Sequence, residues 1–301
     1  MKPLIVAHRG ENVINPENTI SAVRGALRYG VDIIEIDVQF SADGQVVVIH
    51  DTTVDRTTHH SGKVSSFTLD ELKQMDVGEK KHTSFKGEQI PTLDEVLELM
   101  LDEEENKNKA KLLIELKFHW FSWSRLFTPI KDLEKEVVKV VQGRNAQRVI
   151  IIQSFVEEYL FNIRKLDPNI PVHLLVFPWR MLFASSLLQS PVDSFNLLHY
   201  TATQSFVDLA KSQNKTVYVW TVDSKEHMER CISFGVHGII TNRPKMLQKA
   251  IENFDSGSYH TAYHSSDLWF TYSLLAAAVA IICYLLFRLD LLALKSKQKQ
   301  A

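Results

Sequence analysis

Ile33-Ile34-Glu35-Ile36-Asp37-Val38-Gln39-Phe40 is an apolar strand interrupted by two carboxylates. In an extended chain, residues two apart point to the same side. Ile33, Glu35 and Asp37 therefore share one face, and Ile34, Ile36 and Val38 the other. Two carboxylates side by side on such a strand repel each other and resist burial. A cation between them removes the conflict. Leu112-Leu113-Ile114-Glu115-Leu116-Lys117 is a second apolar run with charged residues two apart. A hard cation such as Mg²⁺ or Ca²⁺ takes oxygen ligands, and Glu35, Asp37 and Glu115 would supply three. His8-Arg9-Gly10 and His50-Asp51 flank the first of these strands.

Outward from this stretch, short apolar runs recur at 4–8, 33–40, 112–117, 149–153, 172–176, 195–199, 217–220 and 238–241. Helical patterns separate most of them, at 19–29, 92–101, 130–142, 156–165, 203–212, 224–234 and 244–253. Strands alternating with helices over some 250 residues predict an α/β fold, a (β/α)₈ TIM barrel. An open doubly wound sheet is the rival, weakened because no glycine-rich dinucleotide loop follows any strand. Val46–His50 follows Ile33–Phe40 through a turn with Asp43-Gly44 at its centre, which reads as a hairpin. The segment from about 51 to 90 then reads as an insertion with little periodic apolar character. Polar residues cluster at predicted strand ends: His8, Glu35 and Asp37, His50, Glu115 and Lys117, Gln153, Trp220 and Asn242. Barrel enzymes carry their chemistry at the C-terminal ends of the strands.

Ala7-His8-Arg9-Gly10, Pro16-Glu17-Asn18-Thr19, Glu35-Ile36-Asp37-Val38, His50-Asp51 and Asp55-Arg56-Thr57-Thr58 resemble the glycerophosphodiester phosphodiesterase family. The resemblance continues through Pro91-Thr92-Leu93, Glu115-Leu116-Lys117, Gln153-Ser154-Phe155, Trp220-Thr221-Val222-Asp223 and Gly238–Pro244, and so covers about residues 3–250. It implies a barrel, one divalent cation (Mg²⁺ or Ca²⁺), and hydrolysis of a glycerophosphodiester to glycerol phosphate and an alcohol. By family role Glu35, Asp37 and Glu115 would be metal ligands. His8 and His50 would be the general acid–base pair, which of them is the base being left open with His8 as the working choice, and Arg9 and Lys117, with Trp220, would bind the phosphate or substrate. Glu17 and Gln153 would support the site. Asn242 stands where many members have Asp, so no catalytic role is carried onto it.

The residue types suit that chemistry. Phosphodiester cleavage needs charge neutralisation and a proton moved at each end of the reaction, and a histidine pair titrating near neutrality can move both. Two other functions stay open. One is a lysophospholipase D acting on lysophospholipids in a bilayer. The other is a non-catalytic, membrane-anchored binding module.

The chain divides into a barrel at 1–254, a linker at 255–267, an uncharged apolar run at 268–287 and a basic tail at 288–301. Twenty uncharged residues suffice to cross a bilayer as a helix, and Trp269, Tyr272 and Tyr284 stand near its ends as interfacial aromatics do. A lipid bilayer is thus an expected partner. The first strand begins at Leu4, leaving no room for a leader peptide. Arg288, Lys295, Lys297 and Lys299 would place the tail in the cytosol by the positive-inside rule, whereas export of a whole barrel ahead of a C-terminal segment needs a leader. The expectation is a single-pass C-terminal anchor with the barrel facing the cytosol. A net charge of −2 gives no sign of nucleic-acid binding. Cys231 and Cys283 are too few for a disulfide framework. Two aromatic clusters, Phe118–Phe127 and Phe177–Phe183, follow the third and fifth apolar runs. They are expected either to pack between outer helices or to form an apolar collar at the barrel mouth. Oligomeric state and the alcohol of the substrate are left open.

Overall fold

The alternation of apolar runs and capped helical stretches takes shape in a computed structural model, which describes residues 2–117 and 132–255. Its strands are β1 (Leu4–Ala7), β2 (Ile33–Phe40), β3 (Val46–Val48), β4 (Lys111–Leu116), β5 (Ile150–Ser154), β6 (Val172–Val176), β7 (Ser194–Leu198), β8 (Thr216–Trp220) and β9 (Gly238–Thr241). Its helices are α1 (Ile20–Tyr29), α2 (Leu69–Lys73), α3 (Leu93–Leu101), α4 (Leu133–Gly143), α5 (Glu157–Leu166), α6 (Ala184–Leu187), α7 (Gln204–Ser212), α8 (Lys225–Ser233) and α9 (Pro244–Asp255). All strands but β3 run parallel, and β1 pairs with both β2 and β9, so the sheet closes on itself as the expected (β/α)₈ barrel.

Local signals set the helix ends. Thr19 caps α1 by accepting from the Ala22 N–H, and Gly30, at φ 68°, ends it in the left-handed conformation that glycine takes without strain. Thr92 and Glu95 form a reciprocal capping box at α3, satisfying two donors that the first turn would leave orphaned. The strands are buried on both faces, as parallel strands under a helical layer must be. Ile34, Ile36 and Val38 of β2 face the helices. Ile33 joins Val6, Leu113, Ile151, Tyr218 and Ile240 inside the barrel. The two sides read from the 33–40 stretch are therefore the inner and outer walls.

One boundary is corrected and two readings gain detail. The hairpin strand stops at Val48 rather than at His50, although the Ile49 N–H still donates to the opposite Asp37 carbonyl at 3.0 Å. The insertion has a small core of its own: Val54, Val64, Leu72, Met75, Val77 and Ile90 gather around Val47 and Ile49. Its apolar residues are irregularly spaced because turns, not a long helix or strand, bring them together. The collar after β6 is divided. Met181 packs against the outer core, whereas Trp179, Leu182 and Phe183 are exposed.

The linker, the apolar run at 268–287, the basic tail and the aromatic cluster Phe118–Phe127 lie outside the described residues. Among those described, no helix is long and apolar enough to cross a membrane.

Candidate active site

The strand register builds the acidic cluster. Asp37 on β2 lies opposite Glu115 on β4, which lies opposite Gln153 on β5. In-register residues on adjoining strands are about 4.8 Å apart, so these side chains form a row on the inner wall, with Glu35 one pleat deeper. Oxygens of Glu35, Asp37 and Glu115 lie within 4.8 Å of one another. Neighbouring amides fix two of the carboxylates. Asn18, held at φ 57°, donates to Asp37 Oδ2 at 2.8 Å and accepts from the Asp37 N–H at 3.1 Å. Gln153 donates to Glu35 Oε1 at 3.2 Å and accepts from Asn196 at 2.7 Å.

Two cations lean on the cluster. Lys117 Nζ reaches Glu115 at 2.8 Å and Asp37 at 3.1 Å, and Arg9 Nε stands 3.4 Å from Asp37. Arg9 also donates from its backbone N–H to Glu35 Oε2 at 2.9 Å and from its guanidinium to Glu17 at 2.8 Å. Its φ is 56°. That conformation costs a side-chain-bearing residue about 1–2 kcal/mol. A hydrogen bond to a charged acceptor contributes about 1.5–3 kcal/mol and offsets it. Three carboxylates against two cations leave the cluster short of positive charge. The titration behaviour follows. Burial, then the charges of Asp37 and Glu115, hold Glu35 well above the usual carboxylate range. Burial lifts Glu115 to about 7 against the pull of Lys117. Burial also acts to raise Asp37, but Lys117 and Arg9 outweigh it and keep Asp37 ionised and low.

Each histidine is oriented through Nδ1. His8 follows β1, its backbone N–H donates to the Thr241 carbonyl of β9 at 3.0 Å, and its Nδ1 is 2.7 Å from Asn242 Oδ1. Burial, then the positive Arg9, lowers His8 to about 4, so it is neutral near pH 7. His50 follows β3, and its Nδ1 is 2.7 Å from Asp51 Oδ1. Gln39 brackets this residue by donating to the Ile49 and Asp51 carbonyls at 2.9 and 2.7 Å. Burial also lowers His50, while Asp37 and Asp51 act to raise it. Arg56, from the insertion, ties Asp51 to Glu17 and thereby links the His50 side of the site to Arg9.

A cavity of about 140 Å³ opens at the C-terminal ends of the strands, lined by His8, Arg9, Glu35, His50, Glu115, Lys117, Gln153, Phe155, Trp220 and Ile240 among others. The indole N–H of Trp220 is engaged with the Asn196 carbonyl at 2.9 Å, so Trp220 offers the cavity a ring face. Trp220 meets Phe155 edge-on at 5.8 Å, Phe155 stacks on Phe177 at 4.4 Å, and Phe177 runs parallel to Trp179 at 6.4 Å. An aromatic track thus leads from the cavity to the exposed Trp179, Leu182 and Phe183.

All ten residues singled out in the sequence converge here; Glu17 reaches the site through Arg9, and the other nine line or adjoin the cavity. Sequence reasoning gave no role to Asn12, Asn18, Gln39, Asn196, Asp223 or Asn242. Each acts through an amide or carboxylate contact set by long-range folding, and a lone Asn or Gln carries no local signal of that. Asn18, Gln39, Asp223 and Asn242 stood within quoted stretches, but nothing in those stretches showed what each would contact.

The donor set fits a hard divalent cation: three carboxylates converge, and Asp37 Oδ1, although buried, makes no hydrogen bond and has only the Lys117 ammonium beside it. The buried Arg9 Nε also makes no hydrogen bond and is a donor suited to an anion. Together with two oriented imidazoles, the arrangement can neutralise a phosphate, accept a proton on one side and deliver one on the other.

The sequence model of the glycerophosphoryl diester phosphodiesterase family matches residues 8–246. A glycerophosphodiester phosphodiesterase of Caldanaerobacter subterraneus subsp. tengcongensis is 40% identical over 82% of this chain and 97% of its own length. A putative glycerophosphodiester phosphodiesterase of Bacillus subtilis, YhdW, is 34% identical over 81% of this chain and 96% of its own. Among solved structures, an Oleispira antarctica phosphodiesterase in complex with the product sn-glycerol-3-phosphate superposes with a TM-score of 0.71. It is 26% identical over 83% of this chain and 97% of its own.

Proposed function

The chain belongs to the glycerophosphoryl diester phosphodiesterase family and is a phosphoric diester hydrolase; from that premise we propose a metal-dependent cleavage of glycerophosphodiesters in which His8 is the base and His50 the acid. The observation that carries this reading is the buried Glu35–Asp37–Glu115 cluster facing two imidazoles across one cavity. When bound by these carboxylates, a divalent cation supplies Lewis-acid charge at a phosphoryl oxygen. Arg9 and Lys117 hold the phosphate, and Glu17 keeps the Arg9 guanidinium in place. His8, neutral and bare at Nε2, takes the proton of the attacking hydroxyl as its oxygen bonds to phosphorus and the phosphorus–oxygen bond to the alcohol breaks; where that hydroxyl is the glycerol's own, a water then opens the resulting cyclic phosphate. His50, whose Nδ1–H rests on the Asp51 carboxylate, is the one better able to carry a positive charge, and it returns a proton to the departing alcohol. Glycerol phosphate and the free alcohol leave. The test is release of choline from glycerophosphocholine before and after exhaustive chelation. Loss of turnover that returns with Mg²⁺ or Ca²⁺ supports the reading, and full turnover after chelation sinks it.

A second substrate reading rests on the aromatic track. Trp220, Phe155, Phe177 and Trp179 form a continuous apolar lane from the phosphate site to exposed Leu182 and Phe183. Such a lane suits the acyl chain of a lysophospholipid, with lysophospholipase D chemistry at the same centre. The apolar run at 268–287 would then be the anchor that keeps a cytosol-facing barrel beside its lipid. The third possibility, a non-catalytic module, is set aside, since the chain belongs to a phosphoric diester hydrolase family.

A further inference from the structure

The wall behind His8 carries a hydrogen-bonded series that the roles above leave unused. Asp223, three residues past the end of β8, accepts through Oδ1 from the Asn242 backbone N–H at 2.8 Å and the Thr241 hydroxyl at 3.0 Å. Its Oδ2 accepts from Asn242 Nδ2 at 2.6 Å. An ionised carboxylate can only accept, so it fixes the Asn242 carboxamide with its amino group toward Asp223 and its oxygen toward the cavity. That oxygen accepts from Asn12 Nδ2 and stands 2.7 Å from His8 Nδ1. An amide oxygen cannot donate either, so the His8 proton has to sit on Nδ1, leaving the lone pair on Nε2.

We propose that Asp223 and Asn242 are positioning residues that act in series to hold His8 as its Nδ1–H tautomer. The inference rests on the reading of His8 as general base, because a base must present an unprotonated nitrogen to the cavity. It also explains why the two imidazoles have different partners. The carboxylate of Asp51 favours a charged His50 ring, as an acid requires. The neutral amide of Asn242 fixes the His8 tautomer; its hydrogen bond favours the charged ring, but burial and the neighbouring Arg9 outweigh it and keep the ring neutral. Asp223, one group further out, supplies direction while its own charge is spent on Asn242.

The primary test is the tautomer itself. In full-length chain labelled with ¹⁵N-histidine, His8 resonances are identified by comparison with His8→Gln. Near pH 7 the unaltered protein should show a protonated Nδ1 and a bare Nε2 at His8. A proton on Nε2 overturns the proposal irrespective of any variant. Asn242→Ala should shift His8 toward the Nε2–H form and lower kcat about 10–100-fold, with KM within about threefold. Asn242→Asp alone sets two carboxylates against each other and should lose a similar factor. Adding Asp223→Asn to it restores a donor–acceptor pair and should recover at least about tenfold in kcat. If that double variant folds, by circular dichroism, and recovers nothing, the series is not what positions His8. A correct tautomer combined with undiminished kcat in His8→Ala would instead remove the base assignment, and the positioning role with it.

Discussion

Asn242 Oδ1 and Asp51 Oδ1 each stand 2.7 Å from a histidine Nδ1, yet one is an amide and the other a carboxylate. That difference separates two side chains that look equivalent in the sequence. His8→Ala and His50→Ala should each lower kcat about 10²–10⁴-fold, the range for loss of a general acid or base. The double variant should fall well short of the product, because the two serve one reaction. Substrates with different leaving groups tell them apart. A good leaving group needs no proton, so it should rescue His50→Ala and leave His8→Ala impaired. Equal rescue of both would exchange or abolish the assigned roles. The carboxylates and histidines were legible in the sequence because their chemistry is rare on apolar strands. The amides around them were not: Asn196 and Asn242 acquire meaning only from partners 43 and 234 residues away.

The turn after β1 is where a single backbone position matters most. Gly10 lies at φ 77°, and a Cβ there would fall 2.7 Å from the backbone of Ala22 in α1. Gly10→Ala therefore has to push the Arg9 turn off α1, moving the Arg9 N–H away from Glu35. The expected result is at least a tenfold fall in kcat/KM with the barrel still folded, and phosphate affinity should weaken in parallel. Unchanged kinetics would mean that the turn does not hold Arg9 in register. The segment after β6 makes a separate prediction. Trp179, 43% exposed, ends the aromatic track, and burying such a ring contributes roughly 1.5–3 kcal/mol. Trp179→Ala should depress lysophosphatidylcholine turnover at least about tenfold more than glycerophosphocholine turnover; equal effects would remove the support for an acyl lane. The strand and helix positions were readable from periodicity and caps, as Thr92–Glu95 illustrates. The insertion was not, because Val54, Leu72 and Val77 meet through turns that leave no period.

Across the whole molecule, a further buried histidine, His173, lies outside the proposed acid–base pair. His173 is buried beside Tyr218, and burial lowers it to about 3 from an ordinary 6.5. The unfolded chain therefore binds a proton that the folded chain refuses. The stability that follows from this is fully present above pH 6.5 and declines as pH falls toward 3, by about 1.4 kcal/mol per pH unit. His173→Gln should flatten the acid limb of the denaturation curve; an unchanged limb would place the acid sensitivity elsewhere. A chain ending at Asp255 should keep its glycerophosphodiester turnover, since all the candidate site residues precede that point. Loss of soluble activity in that shortened chain would mean that residues 256–301 complete the site.

The closure of the sheet has a further consequence in time. Of the described strands β1 is synthesised first, but one of its two neighbours is β9, the last of them. His8 leaves β1 and Asn242 leaves β9, so the proposed acid–base centre straddles the seam of the barrel. During synthesis the leading strand must wait, half-paired, for more than two hundred residues to emerge. A nascent or prematurely ended chain, however much of its helical layer has formed, then has no centre with which to attack a phosphodiester. Catalytic competence arrives in one step with ring closure, and turnover itself becomes a reporter of completed folding.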